Sequence, residues 1–78
     1  MNTSPKVLRI KDVIQKTGLA RSTIYDRISD KSPRYDQNFP KPFKLGLSAV
    51  GWFEHEIDAW LRKVLTSHLA QKHTILNY

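Results

Sequence analysis

A mainly α-helical fold of about three helices with one small β-hairpin is what this sequence predicts. Two observations carry the prediction. Apolar residues recur at helical spacing in three separate stretches, and between the second and third the chain switches to short extended runs around a glycine. Seventy-eight residues suffice for one compact domain and leave little apolar surface for a second core. That domain is expected over residues 7–66, after a flexible N-terminus (1–6) and before a C-terminal tail or helix extension (67–78).

Val7-Leu8-Arg9-Ile10 alternates apolar and basic residues, which suits a short strand or an extended lead-in. From Lys11 to Thr17, Val13, Ile14 and Thr17 share a face with Ile10, and Asp12 sits where the positive end of a helix dipole favours a carboxylate. Gly18 supplies the left-handed residue that ends this first helix, with Leu19 placed to fold back over it. A second helix is expected from about Arg21 to Ser29, with Ile24 and Ile28 four apart as its buried stripe. Two short helices across a three-residue turn make a helix-turn-helix.

Pro33, Pro40 and Pro42 make the stretch between Asp30 and Lys44 a loop, pinned in part by Phe39 and Phe43. Phe43-Lys44-Leu45, Gly46-Leu47-Ser48 and Ala49-Val50-Gly51-Trp52 then read as strand, turn and strand. A hairpin after a helix-turn-helix is a wing. The last helix is expected from about Glu54 to Leu65, with a reach to Leu69, on the apolar stripe Phe53, Ile57, Trp60, Leu61, Val64 and Leu65. In so small a domain that stripe reads first as core.

Charge narrows the function. Residues 1–44 hold ten Lys/Arg against four Asp/Glu, and residues 45–78 hold three of each, so the whole formal charge of +6 lies in the first part. A one-sided basic field attracts and orients a polyanion. The absence of cysteine excludes a disulfide framework and a Cys-based zinc site. No apolar run reaches membrane-spanning length and the polar start lacks the features of a signal peptide, so a cytoplasmic protein is expected.

With Ile24 and Ile28 turned inward, Ser22, Asp26 and Ser29 face most directly outward on the second helix, with Thr23 and Tyr25 on the flanks. Their polar groups suit base edges or phosphates. Arg21 opens that helix, where backbone N–H groups and the dipole already favour a phosphate oxygen, and it is the first candidate for a DNA contact. Arg27 lies nearer the buried side, which suits a salt bridge or a flanking phosphate contact better than base readout. Asp26 repels phosphates, although its carboxylate can accept from cytosine N4.

Rival readings find less support. Glu54, His55, Glu56 and Asp58 superficially suggest a metal or acid/base site, yet neighbouring helical residues point in different directions. His68 and His73 are five apart, and no phosphate-binding glycine loop or nucleophile elbow occurs. An enzyme is not expected, nor a metal, a cofactor or a small-molecule ligand. A protein-interaction module that uses the stripe from Phe53 to Leu65 without direct DNA readout stays an alternative.

Leu19-Ala20-Arg21-Ser22-Thr23-Ile24-Tyr25, Phe39-Pro40-Lys41-Pro42 with Leu45-Gly46, Val50-Gly51-Trp52 and Glu56-Ile57-Asp58-Ala59-Trp60 together resemble the AlpA family of phage and prophage regulators, over roughly Leu8 to Leu65. The resemblance implies a winged helix-turn-helix related to MerR-type and excisionase domains. Its second helix would enter the major groove of double-stranded DNA and its wing would touch the flanking backbone or minor groove. It also implies a sequence-specific transcriptional regulator in a prophage or integrative element, acting on an integrase gene, or a recombination directionality factor acting architecturally. A homodimer or a cooperative multimer on DNA fits either role.

This sequence departs from the family pattern at three residues and in the length of one loop. Ala20 stands where a capping serine is usual, and Asp26 where a basic or neutral polar residue is common. Ser48 replaces a wing arginine, which leaves Lys44 and the Ser48 hydroxyl as weaker wing contacts. The stretch from Asp30 to Asn38 is also longer than usual, and its Lys31 and Arg34 are candidates to restore phosphate contact.

Overall fold

A computed structural model describes the backbone of residues 6–75 and the side chains of residues 6–69. The expectations for residues 1–5 and 76–78, and for the side chain of His73, lie outside the described residues. Along the chain run β1 (Val7–Leu8), α1 (Ile10–Thr17), α2 (Arg21–Ile28), β2 (Phe43–Lys44), β3 (Val50–Phe53) and α3 (Glu54–Ile75). Three helices and a hairpin agree with the sequence reading.

Local signals set both ends of α1. The Arg9 backbone N–H donates to Asp12 Oδ2 at 3.0 Å, so Asp12 satisfies one of the donors that a helix start leaves free. Gly18 adopts φ 77°, and its N–H donates to the Ile14 carbonyl. Only a residue without Cβ takes that conformation without strain. The Thr17 hydroxyl accepts from the Leu19 N–H at 3.1 Å and donates to the Val13 carbonyl, which steers the chain into the turn before α2.

The short strand that alternation allows at Val7-Leu8 joins the hairpin as a third strand, a pairing that periodicity does not reveal. β1 pairs antiparallel with β3, Leu8 opposite Trp52, while β2 pairs with the other edge of β3, Phe43 opposite Gly51, giving the order β1-β3-β2. Gly51 sits at the crossing of these contacts. A Cβ there would lie 2.6 Å from Val7 Cγ1 and 3.2 Å from the Leu8 carbonyl oxygen, so the strands approach this closely only because the residue is glycine.

The sheet, α1, α2 and the start of α3 enclose one core. Leu8, Val13, Ile24 and Phe39 meet Trp52, Ile57 and Trp60 there, with Ile14, Leu19, Ile28 and Leu61 packed around them. Phe39 lies edge-on to Trp60, ring centroids 4.8 Å apart. Both indoles also hold the loop after α2: Trp52 Nε1 donates to the Pro40 carbonyl at 3.1 Å and Trp60 Nε1 to Asp36 Oδ2 at 3.3 Å. Buried indole N–H groups need such acceptors, and here they keep a proline-rich loop in one shape.

The stripe assigned to the last helix needs two corrections. Phe53 ends β3 instead of joining α3, and its ring stacks on Phe43 at 4.5 Å and on His55 at 5.5 Å. Strand alternation puts it on the face opposite Trp52. Farther along, Ile57 and Trp60 are buried and Leu61 partly so, but Val64, Leu65 and Leu69 are 44%, 55% and 55% exposed. No glycine or proline follows Gly51 to stop the helix. At 1.5 Å per residue, its 22 residues span about 33 Å and outrun a domain that covers only the first two turns. Among the described residues no helix is long and apolar enough to cross a membrane.

Candidate nucleic-acid interface

With Ile24 fully buried and Ile28 half-buried, α2 presents Arg21, Ser22 and Tyr25 to solvent, with Ser29 exposed just past its end. Thr23 is half-buried on the flank. Asp26 is less open than the helical wheel suggests. Its side chain is 44% exposed, and the Arg34 guanidinium lies 3.8 Å from Oδ2.

Arg27 takes the structural alternative foreseen for it. Its Nη1 lies 3.8 Å from Asp36 Oδ2, its guanidinium sits 5.7 Å from the centre of the Trp60 ring, and its Nε is buried with no hydrogen-bond partner. The side chain thus braces α2 against the loop and α3, while among the described residues Arg21, Ser22 and Tyr25 make no such contacts.

The start of α2 is open to a ligand as well. Ala20 is the N-cap residue and provides no side-chain hydrogen bond, and the first turn carries no acidic residue. Backbone N–H groups at that end therefore face neither a capping oxygen nor a repelling carboxylate. The absent cap also has an energetic consequence: Ala20→Ser is expected to stabilise the domain by about 1 kcal/mol. In a thermal melt followed by circular dichroism this is a rise in Tm of about 4–8 °C. An unchanged Tm would show that this helix end gains nothing from a cap.

On the wing, Lys44 and Ser48 are both exposed, and the Leu45 N–H to Ala49 carbonyl bond of 2.8 Å closes the turn between them. Leu47 beside Ser48 is fully exposed. Sequence reasoning missed it as a surface feature, although a residue inside a three-residue hairpin turn has nothing to pack on. For Arg34 the sequence offers a candidate phosphate contact but no partner within the chain. Its closeness to Asp26 depends on how the loop folds, which no local pattern reports.

The acidic start of α3 is occupied. Lys16 Nζ lies 2.8 Å from Glu54 Oε2 and 2.9 Å from Asp58 Oδ1, which ties the end of α1 to the start of α3. Hydrogen bonds that the Lys16 ammonium donates to Glu54 and then to Asp58 raise its pKa above the ordinary value. Two of the carboxylates that suggested an acid/base site thus serve an ion-pair cluster.

Two helices across a tight turn, a hairpin wing and a basic first half define a winged helix-turn-helix domain. The chain belongs to the prophage regulatory protein family described as Prophage CP4-57 regulatory protein (AlpA), whose model matches residues 6–65. It is 61% identical over 56 residues to the Escherichia coli (strain K12) protein named DNA-binding transcriptional activator AlpA, covering 72% of this chain and 80% of that one. It is 36% identical over 59 residues to the uncharacterized protein ORF88 of Enterobacteria phage P4, covering 76% of this chain and 60% of that one. No solved structure matches. The family match ends at Leu65, so the last turns of α3 lie beyond it.

Proposed function

We propose that this protein is a sequence-specific DNA-binding regulator of transcription, working in a prophage or related integrative element. In this reading α2 enters the major groove, with Arg21 on a phosphate and Ser22, Thr23, Tyr25 and Asp26 toward base edges. Lys44 and Ser48 bring the wing to the flanking backbone, and Arg27 acts from behind by fixing the pose of α2.

The observation that carries the reading is the face of α2: a basic residue at an uncapped helix start, followed by exposed hydroxyls and opposite a fully buried Ile24. That arrangement suits phosphate and base contacts. The name of the Escherichia coli relative supports DNA and transcription as the setting. Two or more copies on one stretch of DNA belong to the same reading, supported by Leu65 and Leu69, four apart on α3 and both exposed.

Selection of bound fragments from a random duplex pool at physiological salt tests it. One motif is expected, with log affinity falling against log salt at a slope of about −0.9 for each phosphate contacted. Binding without sequence preference, or no binding, would overturn it.

A further inference from the structure

The loop after α2 is built, not slack. The Ser32 N–H donates to the Ser29 carbonyl, the Arg34 N–H to Ser32 Oγ, and the Tyr35 N–H to the Ser32 carbonyl, all at 3.0–3.1 Å. The Asp36 N–H then returns to the Arg27 carbonyl of α2 at 2.9 Å. Beyond it, Phe39 is buried and the two indoles hold Asp36 and Pro40. Arg34 stands at the corner of this frame with its side chain 74% exposed, and its Nη1 lies 3.8 Å from Asp26 Oδ2 on the outward face of α2.

We propose that Arg34 is a DNA-contacting residue: Asp26 positions its guanidinium at the edge of the α2 face, where it meets a phosphate on the lip of the groove that α2 enters. The proposal rests on the DNA-binding reading above and adds a third contact element, the loop, to the helix and the wing. A separation of 3.8 Å is too long for a hydrogen bond, so Asp26 holds the guanidinium by charge and leaves its N–H donors free. A planar fork of donors on a fixed loop suits a phosphate. The same pair explains how a carboxylate is tolerated on a face turned toward a polyanion, because the cation beside it offsets the repulsion.

Two roles for Arg34 must be separated, contact with DNA and simple neutralisation of Asp26. Affinities for the selected duplex are measured by fluorescence anisotropy across a salt series for the native chain, Arg34→Ala, Asp26→Asn and the double variant. Thermal melts check that each folds, which is expected for exposed side chains. If Arg34 contacts a phosphate, Arg34→Ala weakens binding about tenfold in the native background and shrinks the salt slope by about 0.9, and in the Asp26→Asn background, where the guanidinium has lost the group that positions it, a smaller loss with a shallower salt slope remains. A loss seen only when Asp26 is intact reduces Arg34 to a neutraliser and overturns the proposal, as does no loss in either background. Failure of the underlying reading looks different: the native chain then selects no motif, and no duplex is available on which the four proteins differ.

Discussion

Trp52→Ala is expected to abolish the cooperative thermal transition of the domain. Trp52 is the largest of the fully buried side chains and lies on the central strand, with β1 on one edge and β2 on the other. Truncating a buried tryptophan to alanine typically destabilises by about 3–5 kcal/mol. Here the change also leaves the Pro40 carbonyl without its indole donor, which adds about 1 kcal/mol or more where that oxygen stays shielded. Domains of this size are stable by only roughly 5 kcal/mol, so the loss removes most or all of the margin. Circular dichroism melts and the fluorescence of the remaining Trp60 report the outcome. Leu65→Ala serves as the contrast, since Leu65 is 55% exposed and its loss is expected to shift Tm little. A Trp52→Ala chain that still melts cooperatively within a few degrees of the native one would mean that the core does not hinge on β3.

What the sequence made legible follows the range of the interactions involved. Gly18 marked the end of α1, and Ile24 with Ile28 marked the buried side of α2, because both signals act within one or two helical turns. The wing was readable from Gly46 and the residues flanking it for the same reason. The role of β1 was not readable, since a strand of two residues takes its meaning from a partner at the far end of the domain. Phe53 was misplaced because β3 passes directly into α3 with no residue between them, and an apolar residue at that junction fits both periods. Periodicity in α3 was right about the face and silent about its cover. Leu61, Leu65 and Leu69 repeat every four residues whether or not anything packs on them. Within the candidate interface, the inward turn of Arg27 was foreseen because it follows from helical geometry, whereas the approach of Arg34 to Asp26 required the whole loop to be folded.

Arg21→Ala is expected to weaken binding to the selected duplex by about 10–100-fold at physiological salt while leaving the melting temperature nearly unchanged. Arg21 is exposed and, among the described residues, makes no ion pair, so its removal takes nothing from the core. It is also the first residue of α2, and the Ala20 cap before it offers no side-chain acceptor. A phosphate at that end would meet the guanidinium and the backbone N–H groups together, and a charge-assisted contact of this kind is worth about 1.5–3 kcal/mol. The salt slope should fall by about 0.9, because one fewer phosphate is neutralised. Arg27→Ala is the informative partner. Its side chain braces Asp36 and Trp60, so it should lower the melting temperature, and affinity should fall only as far as the pose of α2 loosens. If instead Arg21→Ala binds like the native chain and Arg27→Ala loses the motif without losing stability, the recognition surface lies on the other flank of α2.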